Sequence, residues 1–467
     1  MAITHLLMDD ERFKHYQEQA VRAFNKKLGY NNLKAALCLH NIGCAHARKK
    51  RLEESLSCFE DALRIRILHL GNHEDVAITL CNMSFILFEQ KEYFMSLELL
   101  NESKGIMELR LGSNHKMVAD VTHYIGHVYD LKGEQSNALA WYKKTLVLKK
   151  IAYSDDDVVL GIDYSCIGNI LYDRKEYEEA LFYLENALRV RQAYLPDDNL
   201  DIATNLYDIG YVYHDMGKTA DAINFLEKAL KMRKILLGFD HYSIEDTNSS
   251  LGHMYAKQGD HSKALASLDE ALRIHQTNET YEKVADTLNN MAIVHRSAGD
   301  VDKAIVCYEE ALQILHKCAS GDGMKSHDIY FNLGNLYDGT NSNEKAMECY
   351  NHALRGRMEA FGENSNHVAA VLSNMCFVHF KLGERDMALA KLEEVLRIRK
   401  HTFGDDHEEV ATAYYNLGVL HLRRGELPIA RVRFEDALES FRVIGIGDSN
   451  QIFANALRNV GLIAQQM

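Results

Sequence analysis

A small residue returns along this chain with a period close to 42. It falls at Gly43, Ser84, Gly126, Gly168, Gly210, Gly252, Ala292, Gly334, Cys376, Gly418 and Gly461, in steps of 41, 42, 42, 42, 42, 40, 42, 42, 42 and 43. Ten steps cover 418 of the 467 residues, so nearly the whole chain is one unit copied in tandem. A period of this length means stacked supersecondary units, each too small to bury its own apolar face.

Other columns keep step with this slot. Twelve residues after it stand Ser55, Ser96, Ala138, Ala180, Ala222, Ala264, Ala304, Ala346, Ala388 and Ala430. Nineteen after it stand Ala62, Ser103, Thr145, Ala187, Ala229, Ala271, Ala311, Ala353, Val395 and Ala437. Three after it are mostly rings: His46, Tyr129, Tyr213, Tyr255, His295, Tyr337, His379 and His421. Small columns let two helices approach closely, and large ones fill the space beside them. Between the slot and the next small column lie Gly133, Gly217, Gly259, Gly299, Gly383 and Gly425, placed to break one helix from the next. Only 2 prolines, Pro196 and Pro428, interrupt the chain. Average usage near 5% would give roughly twenty. Each unit therefore reads as two antiparallel helices, and the fold as an all-α, right-handed solenoid. Residues 1–35 form an N-terminal capping helix (amphipathic over 8–28), 36–449 ten repeats, and 450–467 a C-terminal half-repeat or capping helix.

Residues 330–354, YFNLGNLYDGTNSNEKAMECYNHAL, resemble the consensus of the tetratricopeptide repeat family. The long second helix and the loop after it, ALRIRILHLGNHEDVA at 62–77 and VLRIRKHTFGDDHEEVA at 395–411, are similar to kinesin light chain repeats. That type carries Pro after the loop His, where this chain has Glu74, Lys116, Tyr242 and Glu408. The resemblance implies a superhelix whose first helices line a concave groove that holds extended peptides.

On a first helix, the residues six and three before the slot, and one and four after it, share a face by helical spacing. Beside it, two before the slot, an Asn recurs: Asn41, Asn82, Asn290, Asn332, Asn374, Asn416 and Asn459. An amide both donates to and accepts from a peptide backbone. The alternative is that these amides bond within the stack. The middle units replace the Asn ladder with Asp120, His123, His127 and Asp130, then Asn169, Tyr172 and Asp173, then Tyr207, Tyr211, His214 and Asp215, then His253. Arg296, Asn335 and Asp338 extend the candidate face. This surface is acidic and aromatic, and a basic or aromatic-bearing segment suits it.

Other chemistry reads weakly. His123 and His127 at i, i+4 with Asp120 and Asp130 have ligand-type spacing, but four groups on one helix spread over about 15 Å, so no metal is expected. Met216-Gly217-Lys218-Thr219 lacks the earlier Gly of a phosphate loop. The loop histidines His73, His115, His241, His367 and His407 read as turn and cap residues, and Cys38, Cys44, Cys307 and Cys318 as packing. No catalytic order of nucleophile and base is recognisable, so the expectation is a non-enzyme without a cofactor. The 9 scattered cysteines point to a reducing compartment, hence the cytoplasm. The run Arg48-Lys49-Lys50-Arg51 leaves the nucleus open. No apolar run is long enough to span a membrane. Net charge of −14 argues against nucleic acid as partner and for proteins, with self-association possible through the terminal units. The charge is uneven: residues 1–70 hold 12 basic and 8 acidic side chains, and the rest 41 and 59. The expected function is a protein-binding scaffold. The alternatives are a fixed subunit of a larger complex or a cargo adaptor of the kinesin light chain type.

Overall fold

The computed structural model describes residues 32–153, 157–317, 323–447 and 450–467, and upstream residues 19, 21–23 and 26, which are helical. Most of the capping helix expected over 8–28 lies outside the described residues, as does Cys318. Among the described residues every regular element is an α-helix. The chain divides into two compact units, Met1–Gly238 and Phe239–Met467.

The first unit contains α1 (Leu33–Arg48), α2 (Leu52–Leu70), α3 (Glu74–Glu89), α4 (Tyr93–Leu111), α5 (Lys116–Leu131), α6 (Gln135–Ala152), α7 (Leu160–Asp173), α8 (Tyr177–Tyr194), α9 (Leu200–Asp215) and α10 (Thr219–Leu237). The second contains α11 (Tyr242–Gln258), α12 (His261–Thr277), α13 (Tyr281–Ser297), α14 (Val301–Lys317), α15 (Gly323–Gly339), α16 (Asn343–Phe361), α17 (Asn366–Lys381), α18 (Arg385–Phe403), α19 (Glu408–Arg423), α20 (Leu427–Val443) and α21 (Gln451–Gln466). Odd-numbered helices carry the slot residue and even-numbered ones the two small columns. Within each unit a helix packs on its hairpin partner and then on the first helix of the next hairpin.

The slot is where the two helices of a hairpin meet. A Cβ on Gly168 would stand 2.7 Å from Leu184 Cγ, and one on Gly252 2.7 Å from Leu268 Cγ. The partner sits sixteen residues after the slot, and there Phe59, Leu100, Tyr142, Leu184, Leu226, Leu268, Tyr308, Tyr350, Leu392 and Phe434 are all buried. The alanines twelve and nineteen after the slot are buried as well. Gly461 keeps the sequence period, but no described atom lies within 4 Å of a Cβ placed there.

The breaker glycines do what their positions require. Gly133, Gly217, Gly259, Gly299, Gly383 and Gly425 all have φ between 78° and 87°, the left-handed conformation that closes a helix at low cost in Gly. Gly217 thus belongs to an inter-helix turn. Four repeats hold the same conformation with a side chain present: Lys50, Lys91, Lys175 and Asn341 have φ of 55°, 65°, 64° and 58°. At the other loop, His73, His115, His241 and His407 cap the following helix, each Nδ1 accepting the N–H two residues on at 3.2–3.3 Å. His367 departs from this pattern. Ser365 takes the cap, and His367 lies inside α17 with its ring stacked on Phe361 at 4.2 Å.

Two substitutions in one repeat separate packing from backbone strain. Gly168→Ala crowds Leu184 and costs about 1–3 kcal/mol, whereas Lys175→Gly relieves a left-handed lysine and gains roughly 0.5–1 kcal/mol. Urea midpoints of the two variants, compared with the parent chain, read both signs.

Candidate functional site

The helical stripe on the odd-numbered helices is assembled joint by joint. At several junctions within each unit, the residue one after the slot comes next to the residue two before the next slot. Asn335 Oδ1 accepts from Asn374 Nδ2 at 2.7 Å and from the Tyr350 hydroxyl at 2.8 Å. Phe85 meets Tyr124 edge to face, ring centres 4.6 Å apart. Asn169 bonds Asp208. At the first joint the Asn82 amide stands 3.9 Å from Cys44 Sγ and 3.1 Å from His40 Nε2.

These contacts bear on the expected amide ladder. Asn82 and Asn374 spend part of their bonding capacity inside the stack. Asn41, Asn332 and Asn416 are half-buried, and Asn290 is exposed. Their environment differs from joint to joint, so they do not form one continuous grip.

His40 shows why the first joint is neutral. Burial, then the nearby Arg66, lowers its pKa to about 4, against an opposing pull from Asp75. Arg66 Nη1 lies 3.3 Å from His40 Nδ1. A guanidinium only donates, so His40 Nδ1 accepts from Arg66.

The acidic middle section is built by α5, α7 and α9. His123 is not free to line a surface: its Nδ1 stands 2.7 Å from Asp163 Oδ1, while Lys149 Nζ donates to Asp163 Oδ2 at 2.6 Å. Asp163 is fully buried and Lys149 nearly so, so this triad is a closed polar core. Among the described residues no three His, Cys, Asp or Glu side chains converge as a metal shell.

His127, Asp120 and Asp130 do line the face, each half-buried. His127 packs against the Phe88 ring at 5.3 Å, and burial, then His123, lowers its pKa. Burial raises the Asp130 carboxyl, Asp173 on the next helix adds to the rise, and His127 opposes it. Gln135 Nε2 reaches Asp173 at 3.4 Å, and the Tyr172 hydroxyl donates to Asp215 at 2.7 Å. Tyr207 and Tyr211 join through their hydroxyls at 3.2 Å. His214 is half-buried beside them. Burial lifts Asp208 to about 6, held from rising further by Arg233, Arg191 and Asn169.

In the second unit His253 and Arg296 are exposed, and Asp338 accepts from Lys381 Nζ at 2.6 Å. Asn416 lines a cavity of about 300 Å3 with Phe377, Phe380, Leu392 and Val419, rimmed by Lys381 and Arg423. The Arg423 guanidinium lies over Phe380 at 5.1 Å. This joint is apolar and basic, unlike the acidic face of the first unit.

A functional column escaped the sequence reading. Twenty-three residues after the slot stand Arg66, Lys149, Arg191, Arg233, His275, Arg357 and Arg399, all less than a tenth exposed. Each sits beneath the face and ties neighbouring helices together. Arg66 Nη1 donates to Thr79 Oγ1 at 2.6 Å, Arg191 Nη1 to Asn205 Oδ1 at 2.6 Å and to Ser165 Oγ at 2.9 Å, and Arg357 Nη2 to Asp328 at 2.8 Å. The Arg233 guanidinium covers the Tyr207 ring at 4.3 Å. The signal was present as a recurring base at fixed offset from the slot.

This geometry is that of a helical-repeat interaction protein, and comparison with known proteins agrees. The tetratricopeptide repeat profile matches residues 75–150, 162–235, 243–317, 283–359 and 367–442, and a second profile of the same description matches 35–75. The chain belongs to the tetratricopeptide repeat family. Such repeats generally mediate protein–protein interaction. No curated protein matches the sequence significantly. Similar solved structures include BtubC (BKLC) from P. vanneervenii, at 18% identity over 49% of this chain and 91% of that one, TM-score 0.42. A putative kinesin light chain of nearly identical TPR-like repeats from Podosopora anserina aligns at 14% identity over 43% and 95%, TM-score 0.38. The STAND protein PH0952 from Pyrococcus horikoshii, an ATPase with a tetratricopeptide repeat sensor, aligns at 14% over 76% of this chain and 54% of that one, TM-score 0.51. Among the described residues no helix is long and apolar enough to cross a membrane.

Two predictions follow from the polar groups beneath and within the face. Asp163→Asn leaves Lys149 buried without its counter-charge and costs about 3–5 kcal/mol, while the pair Lys149→Met with Asp163→Leu recovers most of that loss in urea unfolding. The pH response tests the second. The His40 pKa is depressed in the fold, so its contribution is lost as pH falls from the ordinary histidine value toward 4. The Asp208 pKa is raised, so its contribution is present at low pH and lost as pH rises through about 6. Asp208→Asn removes the falling branch, and thermal stability then climbs more steeply between about pH 4 and 6, as differential scanning calorimetry reads.

Proposed function

We propose that this chain is a non-enzymatic scaffold that holds partner proteins by extended segments along the odd-helix face. In the first unit we propose that the preferred segments are basic. The observation that carries the reading is the run of half-buried and exposed acids on that face, Asp120, Asp130, Asp173, Asp208 and Asp215. Among them Asp130 is raised by burial and by its like-charged neighbour Asp173. A cation laid between them offsets their mutual repulsion, so partner binding and the resting electrostatics point the same way.

A second reading, a fixed subunit of a larger complex, is favoured by a different observation. Twenty-five residues after the slot, the first unit presents Leu68, Leu109, Ile151 and Ile235 at 57–72% exposure. The second unit has Thr277, Lys317, Glu359 and His401 at the same place, and an exposed aliphatic only at Val443. An aliphatic row of this kind suits large static contacts.

Native co-purification of the tagged chain at low and moderate salt separates the two, with the variant Asp120→Asn/Asp130→Asn/Asp173→Asn run beside it. The scaffold reading expects basic segments that bind at low salt, wash away at moderate salt, and are weakened roughly tenfold by the triple substitution. A single protein retained at fixed stoichiometry through both salts and unaffected by the substitutions establishes the subunit reading instead.

A further inference from the structure

The joint between the second and third repeats holds a cavity of about 330 Å3 at the acidic end of the face. At roughly 30 Å3 per water it has room for one long side chain with residual hydration. Ile78, Cys81 and Met107 are among its apolar lining, and Phe85, Tyr124 and Tyr153 are its rings. Phe85 and Tyr124 are set edge to face. Its polar lining is Asp120, Lys116 and Asn82.

Asp120 is the telling residue. It is half-buried, and among the described residues it has no hydrogen-bond or ion-pair partner. Its charge adds to burial in raising the Cys81 thiol to about 12, and in raising the Tyr124 and Tyr153 phenols, so it lies close to all three. Lys116, one turn earlier on α5, is exposed and makes no ion pair with it. A purely apolar guest would strip water from the Asp120 carboxylate and return nothing. An ammonium would be paired but strongly hydrated, and a poor stacking partner. A guanidinium is planar, weakly hydrated, stacks on aromatic faces and forks onto a carboxylate.

We propose that this cavity is an arginine-reading pocket, in which Phe85, Tyr124 and Tyr153 enclose the guanidinium of a partner segment and Asp120 pairs with it. The proposal rests on the basic-segment reading of the first unit and sharpens it. Acids further along the face attract any cation, whereas this joint distinguishes arginine from lysine and sets the register of the bound segment.

The test uses the full chain and three fluorescein-labelled octapeptides, alternating serine with arginine, lysine or leucine, followed by fluorescence anisotropy at low salt. The arginine peptide binds about five-fold or more tighter than the lysine peptide. Asp120→Asn and Phe85→Leu each bring the arginine peptide down to the lysine level, with the helical circular dichroism of the parent retained. Asp173→Asn, outside the cavity, weakens both peptides alike and preserves their ratio. Equal affinity for arginine and lysine in the parent chain, or a ratio that survives both cavity variants, overturns the pocket while leaving an acidic groove. Tighter binding of the leucine peptide overturns it in favour of an apolar anchor site. If neither basic peptide binds at low salt, the basic-segment reading falls with it.

Discussion

The contact of Gly168 with Leu184, repeated at each hairpin with its own pair, sets the geometry of everything built on it. A backbone without a Cβ on one helix admits the tip of a buried side chain from the other, so the two helices pack closely. Ser84, Ala292 and Cys376 fill the slot in the remaining repeats, so the chain tolerates one small side chain there but nowhere a large one. Because the approach is close, the rotation of each first helix is determined, and with it which residues reach the face. The face is thus a by-product of the packing: its identity changes from repeat to repeat while its position does not.

Behind that face runs a second layer of electrostatics. Buried cations at a constant offset stand under the floor, and acids of the first unit stand in front of it. Arg191 and Arg233 restrain Asp208 from the full effect of burial, and Lys149 takes Asp163 and, through it, His123 out of play. Neutral partners accompany Arg66, whose own pKa is lowered by burial. Such groups are costly to desolvate and strongly directional, so they hold neighbouring hairpins in one register more than they add to stability.

The hairpins, their turns and the small columns were readable from the sequence because each depends on a residue and its own repeat: Gly217 in its turn, Ala222 in its column, His241 at its cap. His367 misled because Ser365, two residues earlier, offers a better cap oxygen. The site was only half readable. Asp120, Asp130 and Tyr172 lie on the face as spacing demands, since helical phase alone decides it. His123 has the same phase and is nevertheless withdrawn, because its partner Asp163 belongs to the following repeat. Phe85 and Tyr124 come from two helices and Tyr153 from the extended cap after a third, and no periodicity within one repeat brings them together.

This last point has an evolutionary corollary. Several joints are spelled by two residues from different copies, such as Phe85 with Tyr124 or Asn335 with Asn374. Duplicating, deleting or exchanging one whole repeat therefore changes the recognition vocabulary at the boundaries without altering a single codon inside any copy. New pairings arise by recombination at the period of the gene, while each hairpin keeps the internal packing it already had. A protein of this construction can gain a new pairing at a boundary while its hairpins keep their packing.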